Sequence, residues 1–265
     1  MAQTPELSRS QLNTPTLGQK CFAEFLGTAF LVFAGAGTAT ASGYLLGSGH
    51  RMGTADLVAI ALAFGFALTV MVYAIGRISS CHINPAVTIA MAVDRRIGWL
   101  EAVAYIIAQI IGGIVGAFII AIAFPASAHT VGGFGATDFT SSGISYFAVI
   151  VLEAVGTFFL TFVIMATAVA KRARGGIAGL AIGLTLASVI FVLGPATGGS
   201  LNPARTIGPV VAQLVLGGSY PVSHVIAYIV GPIIGGIIGV YAYEYMLHVR
   251  VAERRGMRTP AVERP

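Results

Sequence analysis

Six stretches of the chain, at about 20–46, 55–76, 99–124, 144–170, 176–194 and 222–248, run almost without charge. A helix crossing a bilayer needs roughly 20 mostly apolar residues, and in lipid the backbone must satisfy its own hydrogen bonds, which a helix does within one segment. Six spanning helices are therefore predicted. Only 9% of the 265 residues are Asp, Glu, Lys or Arg, where soluble domains carry about 25%. That leaves too little polar surface for a cytosolic enzyme or a disordered chain. Cys21 and Cys81 offer no disulfide framework for a small secreted module. The polar start of the chain lacks the basic region, short apolar core and small-residue cleavage site of a signal peptide, so the first span is expected to persist.

The 15 Lys and Arg residues punctuate the apolar runs without forming one patch, so the net charge of +5 speaks for membrane topology and against nucleic acid. Arg9 and Lys20 precede the first span, and Arg77, Arg95 and Arg96 lie between the second and third. Lys171, Arg172 and Arg174 separate the fourth and fifth; Arg250, Arg254, Arg255, Arg258 and Arg264 follow the sixth. With six crossings all of these share one face, and only Arg51 and Arg205 remain on the other. The expectation is a multi-pass protein of the plasma (cell inner) membrane with both termini cytoplasmic.

An internal repeat narrows the architecture. Glu24-Phe25-Leu26-Gly27-Thr28 returns as Glu153-Ala154-Val155-Gly156-Thr157, and the ten residues from Ala104 to Gly113 return from Ala227 to Gly236. Between the members of each pair stand Asn84-Pro85-Ala86 and Asn202-Pro203-Ala204. Three crossings per unit is an odd number, so the halves enter the membrane in opposite directions. In such inverted repeats the working site lies near the midplane, where broken helices meet. The predicted organisation is a cytoplasmic tail (1–19), a first repeat (20–124), an extracellular connection (125–143), a second repeat (144–248) and a charged cytoplasmic tail (249–265).

Asn is a favoured helix N-cap and Pro a favoured first helical residue, so either tripeptide alone is an ordinary helix start. Two copies at equivalent places in opposed repeats, both in apolar surroundings, say more. Asn84 to Val93 is ten residues, followed at once by the charged run Asp94-Arg95-Arg96, and at ~1.5 Å per residue they cover about half of a ~30 Å hydrocarbon core. Asn84 then lies at the midplane, and Asn202 comes to it from the opposite face. Two half-helices meet with their positive dipole ends opposed. The residues before each Asn, Ser80-Cys81-His82-Ile83 and Gly198-Gly199-Ser200-Leu201, are expected to present carbonyls to a cavity, because irregular backbone at that depth must be buried or line one.

Over essentially its whole length this sequence resembles the major intrinsic protein family, the aquaporins and aquaglyceroporins. The two Asn-Pro-Ala motifs, Arg205 after the second, and the paired Glu-x-x-Gly-Thr segments carry the resemblance. It implies six helices with two re-entrant half-helices, a homotetramer with one pore per subunit, and passive passage of water and small neutral solutes without cofactor or metal. It makes Asn84, Pro85, Ala86, Asn202, Pro203 and Ala204 the central constriction, and Phe64, Ile190, Gly199 and Arg205 an outer selectivity filter. The asparagine amides would occupy both lone pairs of a passing oxygen and so interrupt a proton wire, and arginine and half-helix dipoles would exclude ions. Strict water channels of the family usually carry His where Ile190 stands, and glycerol facilitators Asp where Thr206 stands. The run from Gly198 to Pro209 looks most like the nodulin-like branch of plant channels and its bacterial relatives, which pass water, glycerol and undissociated hydroxides such as boric or arsenous acid; their position equivalent to Phe64 usually holds something small.

Glu24 and Glu153 are intramembrane acids and hence functional candidates. Either they carry protons in a coupled transporter, or each accepts backbone N–H groups from a re-entrant loop; their repetition favours the loop-supporting role. His82 lacks companion ligands at metal spacing and reads as a loop support. Cys81 precedes Asn84 by the same three residues as Gly199 precedes Asn202, which places its thiol near the lumen. No nucleophile–base pair or phosphate loop is visible, so no enzyme chemistry is expected.

Overall fold

The computed structural model describes residues 14–47, 53–124, 133–169 and 176–256, with side chains to 247. Arg9, Arg51, Lys171, Arg172 and Arg174 lie outside the described residues. Among the described residues eight α-helices follow in chain order: α1 Leu17–Leu46, α2 Thr54–Ser79, α3 Pro85–Val93, α4 Trp99–Ala123, α5 Tyr146–Ile164, α6 Ala178–Thr197, α7 Pro203–Val215 and α8 His224–Gly256. Six are long and apolar enough to cross a membrane, and α3 and α7 are the short ones.

Local chemistry sets the ends. Thr16 and Gln19 form a capping box that opens α1, and the Ser145 side chain caps α5 through Ala148 N–H. At the far ends of α2 and α6 the chain leaves the helix through a left-handed residue at equivalent places: Ser80 at φ 69° and Gly198 at φ 82°. Both helices run three residues beyond their predicted ends of 76 and 194, and the extra turn presents Ser79 and Thr197. Three other boundaries differ from expectation. The first helix starts at Leu17, inside the predicted tail; α5 ends in a π-helical turn, Met165–Val169; and α8 continues to Gly256 through part of the predicted tail. Arginines and glutamate beyond 249 are good helix formers and do not stop a helix as Pro or Gly would.

The packing repeats by halves. α1 lies against α2 and α4 just as α5 lies against α6 and α8, and α2 meets α6 across the centre. Each half-helix packs against the third long helix of both halves, α3 on α4 and α8, α7 on α4 and α8, so the halves interlock. Glycine permits these approaches: a Cβ on Gly112 would strike the Phe25 carbonyl, and one on Gly235 the Ala154 carbonyl.

Candidate functional site

Two buried carboxylates organise the loops ahead of the half-helices. Glu24 Oε1 accepts from Ser79 Oγ at 2.6 Å and His82 N–H at 2.9 Å, and its Oε2 accepts from Ile83 N–H at 2.5 Å and Gln109 Nε2 at 2.7 Å. Glu153 Oε1 accepts from Thr197 Oγ1 at 2.6 Å and Ser200 N–H at 3.0 Å, and its Oε2 from Leu201 N–H at 2.7 Å. These hydrogen bonds tie both loops to the long helices α1 and α5. They hold the loops in conformations these residues rarely adopt alone, with Ile83 at φ 39° and Leu201 at φ 55°, where about 1–3 kcal/mol of strain per residue is usual.

Ser79 and Thr197 extend the bracing: their hydroxyls also accept from Cys81 N–H and Gly199 N–H, each at 3.2 Å. Their carbonyls accept from Tyr105 OH at 3.0 Å and Tyr228 OH at 2.6 Å. Further along, His82 Nδ1 shares a 3.2 Å hydrogen bond with Thr88 Oγ1, and Ser200 Oγ shares one of 2.6 Å with Thr206 Oγ1. In each half, the residue two before the asparagine is thereby tied to the residue four after it.

With the loops fixed, the asparagines are aimed. Asn84 Oδ1 caps α3 through Ala86 N–H at 2.8 Å, and Asn202 Oδ1 caps α7 through Ala204 and Arg205 N–H at 3.0 and 3.4 Å. The amide nitrogens cross over. Asn84 Nδ2 donates to the Leu201 carbonyl at 2.8 Å, and Asn202 Nδ2 to the Ile83 carbonyl at 2.9 Å. An amide nitrogen has two hydrogens, so one N–H of each asparagine is left for the cavity. The Ile83 carbonyl, expected to line the cavity, is engaged by Asn202. Asn84 and Asn202 border the cavity, while Pro85, Ala86, Pro203 and Ala204 are buried and set the two helix starts.

Two cavities meet beside Arg205. The first, about 750 Å³, is bordered by both asparagines, by Ser80, Cys81, His82, Ile83 and Ser200, and by an apolar wall that includes Leu31, Phe64, Leu186 and Leu160. The second, about 450 Å³, is bordered by Gly198, Ile190, Gly135 and Pro195. Arg205 borders both. Its guanidinium carbon lies 4.7 Å from the centre of the Phe64 ring, within cation–π range, its Nη1 donates to the Gly135 carbonyl at 2.7 Å, and its buried Nε–H has no hydrogen-bond partner among the described residues. Gly199, at φ 57°, faces Ile190: a Cβ there would sit 3.4 Å from Ile190 Cγ1. Phe64 and Arg205 border the first cavity and Ile190 and Arg205 the second, whereas Gly199 lies against Ile190 and borders neither, Gly198 being turned to the second cavity instead.

The match to known families agrees with this geometry. The profile of the major intrinsic proteins covers residues 11–243. The chain belongs to the major intrinsic protein family. Aquaporin AqpM of Methanothermobacter marburgensis is 46% identical over 223 residues, which are 78% of this chain and 90% of that protein. A glycerol uptake facilitator protein-like 6 of Lactiplantibacillus plantarum is 44% identical over 73% of this chain and 83% of its own length. A probable NIP-type aquaporin of Nicotiana alata is 36% identical over 79% of this chain and 73% of its own length. The X-ray structure of the aquaglyceroporin from Plasmodium falciparum superposes with a TM-score of 0.77 at 22% identity, covering 90% of this chain and all of that one, which shows the shared fold. This major intrinsic protein is a passive multi-pass membrane channel for water and small solutes.

Within this member of the family, sequence reasoning missed Ser79, Thr197, Tyr105, Tyr228 and the 133–143 segment. The tyrosines occupy matching places in the repeated ten-residue run, and both hydroxyl residues stand five before an asparagine, so the repeat itself held that signal. Nothing in the Gly133-Phe134-Gly135 turn announced that it docks with Phe134 buried.

Proposed function

We propose that this channel passes water together with small uncharged hydroxylated solutes, glycerol-like polyols and undissociated hydroxides such as boric or arsenous acid, and excludes protons and ions. The observation that carries this reading is the junction of the two cavities, where the Arg205 guanidinium stands 4.7 Å from the Phe64 ring and Ile190 borders the second cavity. A carbon-backed hydroxyl compound presents both faces that such a passage favours. Relatives named as a glycerol facilitator-like protein and a NIP-type aquaporin are consistent with it. A strictly water-selective pore is the second reading, and the Phe64 ring set against the guanidinium favours it. Proton-coupled transport through Glu24 and Glu153 is disfavoured, because each carboxylate is already the acceptor for a braced loop.

Asn84 and Asn202 act as the central constriction; Phe64, Ile190, Gly199 and Arg205 act as the outer one. The channel works without catalytic chemistry, as a homotetramer in the plasma membrane with cytoplasmic termini, and the two repeats of 20–124 and 144–248 are its working units. Stopped-flow light scattering of proteoliposomes with a solute panel tests the solute assignment. Phe64→Ala should raise glycerol permeability at least fivefold relative to water, and Ile190→His should lower it. No change in either variant would place the filter elsewhere, and failure of wild-type liposomes to admit glycerol or boric acid would leave the water-selective reading.

A further inference from the structure

The carbonyl that holds Arg205 belongs to a short segment fixed at both ends. Gly135, at φ 72°, accepts from Arg205 Nη1. Two residues on, Thr137 Oγ1 lies 2.8 Å from Thr206 Oγ1, and the Thr137 carbonyl accepts from Tyr220 OH at 2.8 Å. Asp138 Oδ1 then accepts from Phe139 N–H, from Thr140 N–H and Oγ1, and pairs with His224 Nδ1 at 2.8 Å. The His224 ring stacks on Phe139, with centroids 3.9 Å apart and planes at 17°. His224 is the first residue of α8, so a rigid spanning helix and the α7 arginine grip the same four residues. The other titratable or charged groups around this pair are Tyr146 of α5, Tyr220 of the α7–α8 connection, Tyr228 of α8 and Arg205 of α7.

We propose that His224 and Asp138 are positioning residues for the Arg205 guanidinium, acting through the Gly135 carbonyl, and that they set the solute discrimination of the outer constriction. The inference rests on the reading of Arg205 as part of that constriction. With the segment anchored, Nη1 is drawn to the loop wall; with the anchor cut, the guanidinium loses its acceptor and intrudes on the passage, which obstructs a polyol before it obstructs water. Burial raises the Asp138 carboxyl, but hydrogen bonds from Thr140, His224 and the Phe139 and Thr140 amides outweigh it and hold the group below the ordinary carboxylate range. A carboxyl depressed in the folded chain keeps its contribution above that range and loses it only as pH falls through the lower folded value. Asp138 therefore remains an anionic acceptor at neutral pH.

The test is glycerol and water permeability of the full-length channel in proteoliposomes, by stopped-flow light scattering. His224→Ala and Asp138→Ala should each lower the glycerol-to-water ratio at least threefold, and the double variant should match the singles, as residues of one link do. His224→Gln, which keeps a donor at that place, should hold a ratio within twofold of wild type. An unchanged ratio in the alanine variants, additive losses in the double variant, or a loss in His224→Gln as large as in His224→Ala would overturn the proposal; should His224→Ala fail to fold, Asp138→Ala and His224→Gln decide. Arg205→Ala separates the two levels. If it leaves the ratio unchanged, the constriction reading itself fails, whereas a changed ratio with wild-type behaviour at His224 and Asp138 defeats only this inference.

Discussion

In the first half, Glu24 is the acceptor for four described donors, the fourth being Gln109; in the second half Pro232 stands at the place matching Gln109, and Glu153 has three. His82 before the first asparagine is replaced by Ser200 before the second. At the start of the third long helix of each half, Glu101 pairs with Lys20 at 2.9 Å whereas His224 pairs with Asp138 at 2.8 Å. What stays the same between the halves is the path from carboxylate to loop amides to asparagine. What differs lies buried behind the loop, against the lumen or at the start of a long helix. Shared parts aim the asparagines, and unshared parts give each mouth its own character, with a Lys–Glu pair on one side and a His–Asp pair on the other.

The largest effect should come from removing a carboxylate. Glu24→Leu and Glu153→Leu each strand several buried donors, at about 1–3 kcal/mol apiece, and each should lower water permeability more than tenfold and depress the unfolding temperature in detergent. The milder Glu→Gln changes sharpen the comparison. Glu24→Gln faces one donor more than Glu153→Gln, so it should unfold at the lower temperature; the reverse order would deny the Gln109 contact a stabilising part.

A smaller effect is expected at the asparagines. Asn202 caps two amides and Asn84 one. Losing a cap costs about 1 kcal/mol, and each alanine variant also loses a cross-tie, so Asn202→Ala should reduce water flux more than Asn84→Ala, both by a few-fold. Equal losses would mean that the cross-ties outweigh the caps.

The smallest change in the untreated channel is expected at Cys81, which borders the first cavity where the other half has Gly199 at the matching place. A mercurial should block the wild type, Cys81→Ser should escape block with flux within twofold of normal, and Cys21→Ser should remain sensitive. Block of the Cys81 variant would put the reactive thiol elsewhere.

Much of this was legible in the chain. The spans, the inverted repeat and the pairing of Glu24 with Glu153 came from hydropathy and self-similarity, because a bilayer imposes length and an odd-numbered repeat imposes direction. The crossing of Asn84 to Leu201 and of Asn202 to Ile83 was not legible, since a motif names a donor without naming its acceptor. The extra turns at Ser79 and Thr197 escaped because hydropathy fades before a helix ends. The docking of Gly135 on Arg205 escaped for a different reason: it depends on a carbonyl, which every residue has, and on tertiary position alone.

The crossed amide ties have a consequence for how such a protein can come into being. Neither half supplies both partners of its own tie, so a three-helix fragment expressed by itself has a helix tip with nothing to grasp, while two fragments produced together from separate genes can reconstitute the pair. An ancestral unit of this kind could function only as a head-to-foot couple of copies. Joining two such copies into one polypeptide would fix their ratio and release each to diverge, as Gln109 and Pro232 do at matching places of the two halves.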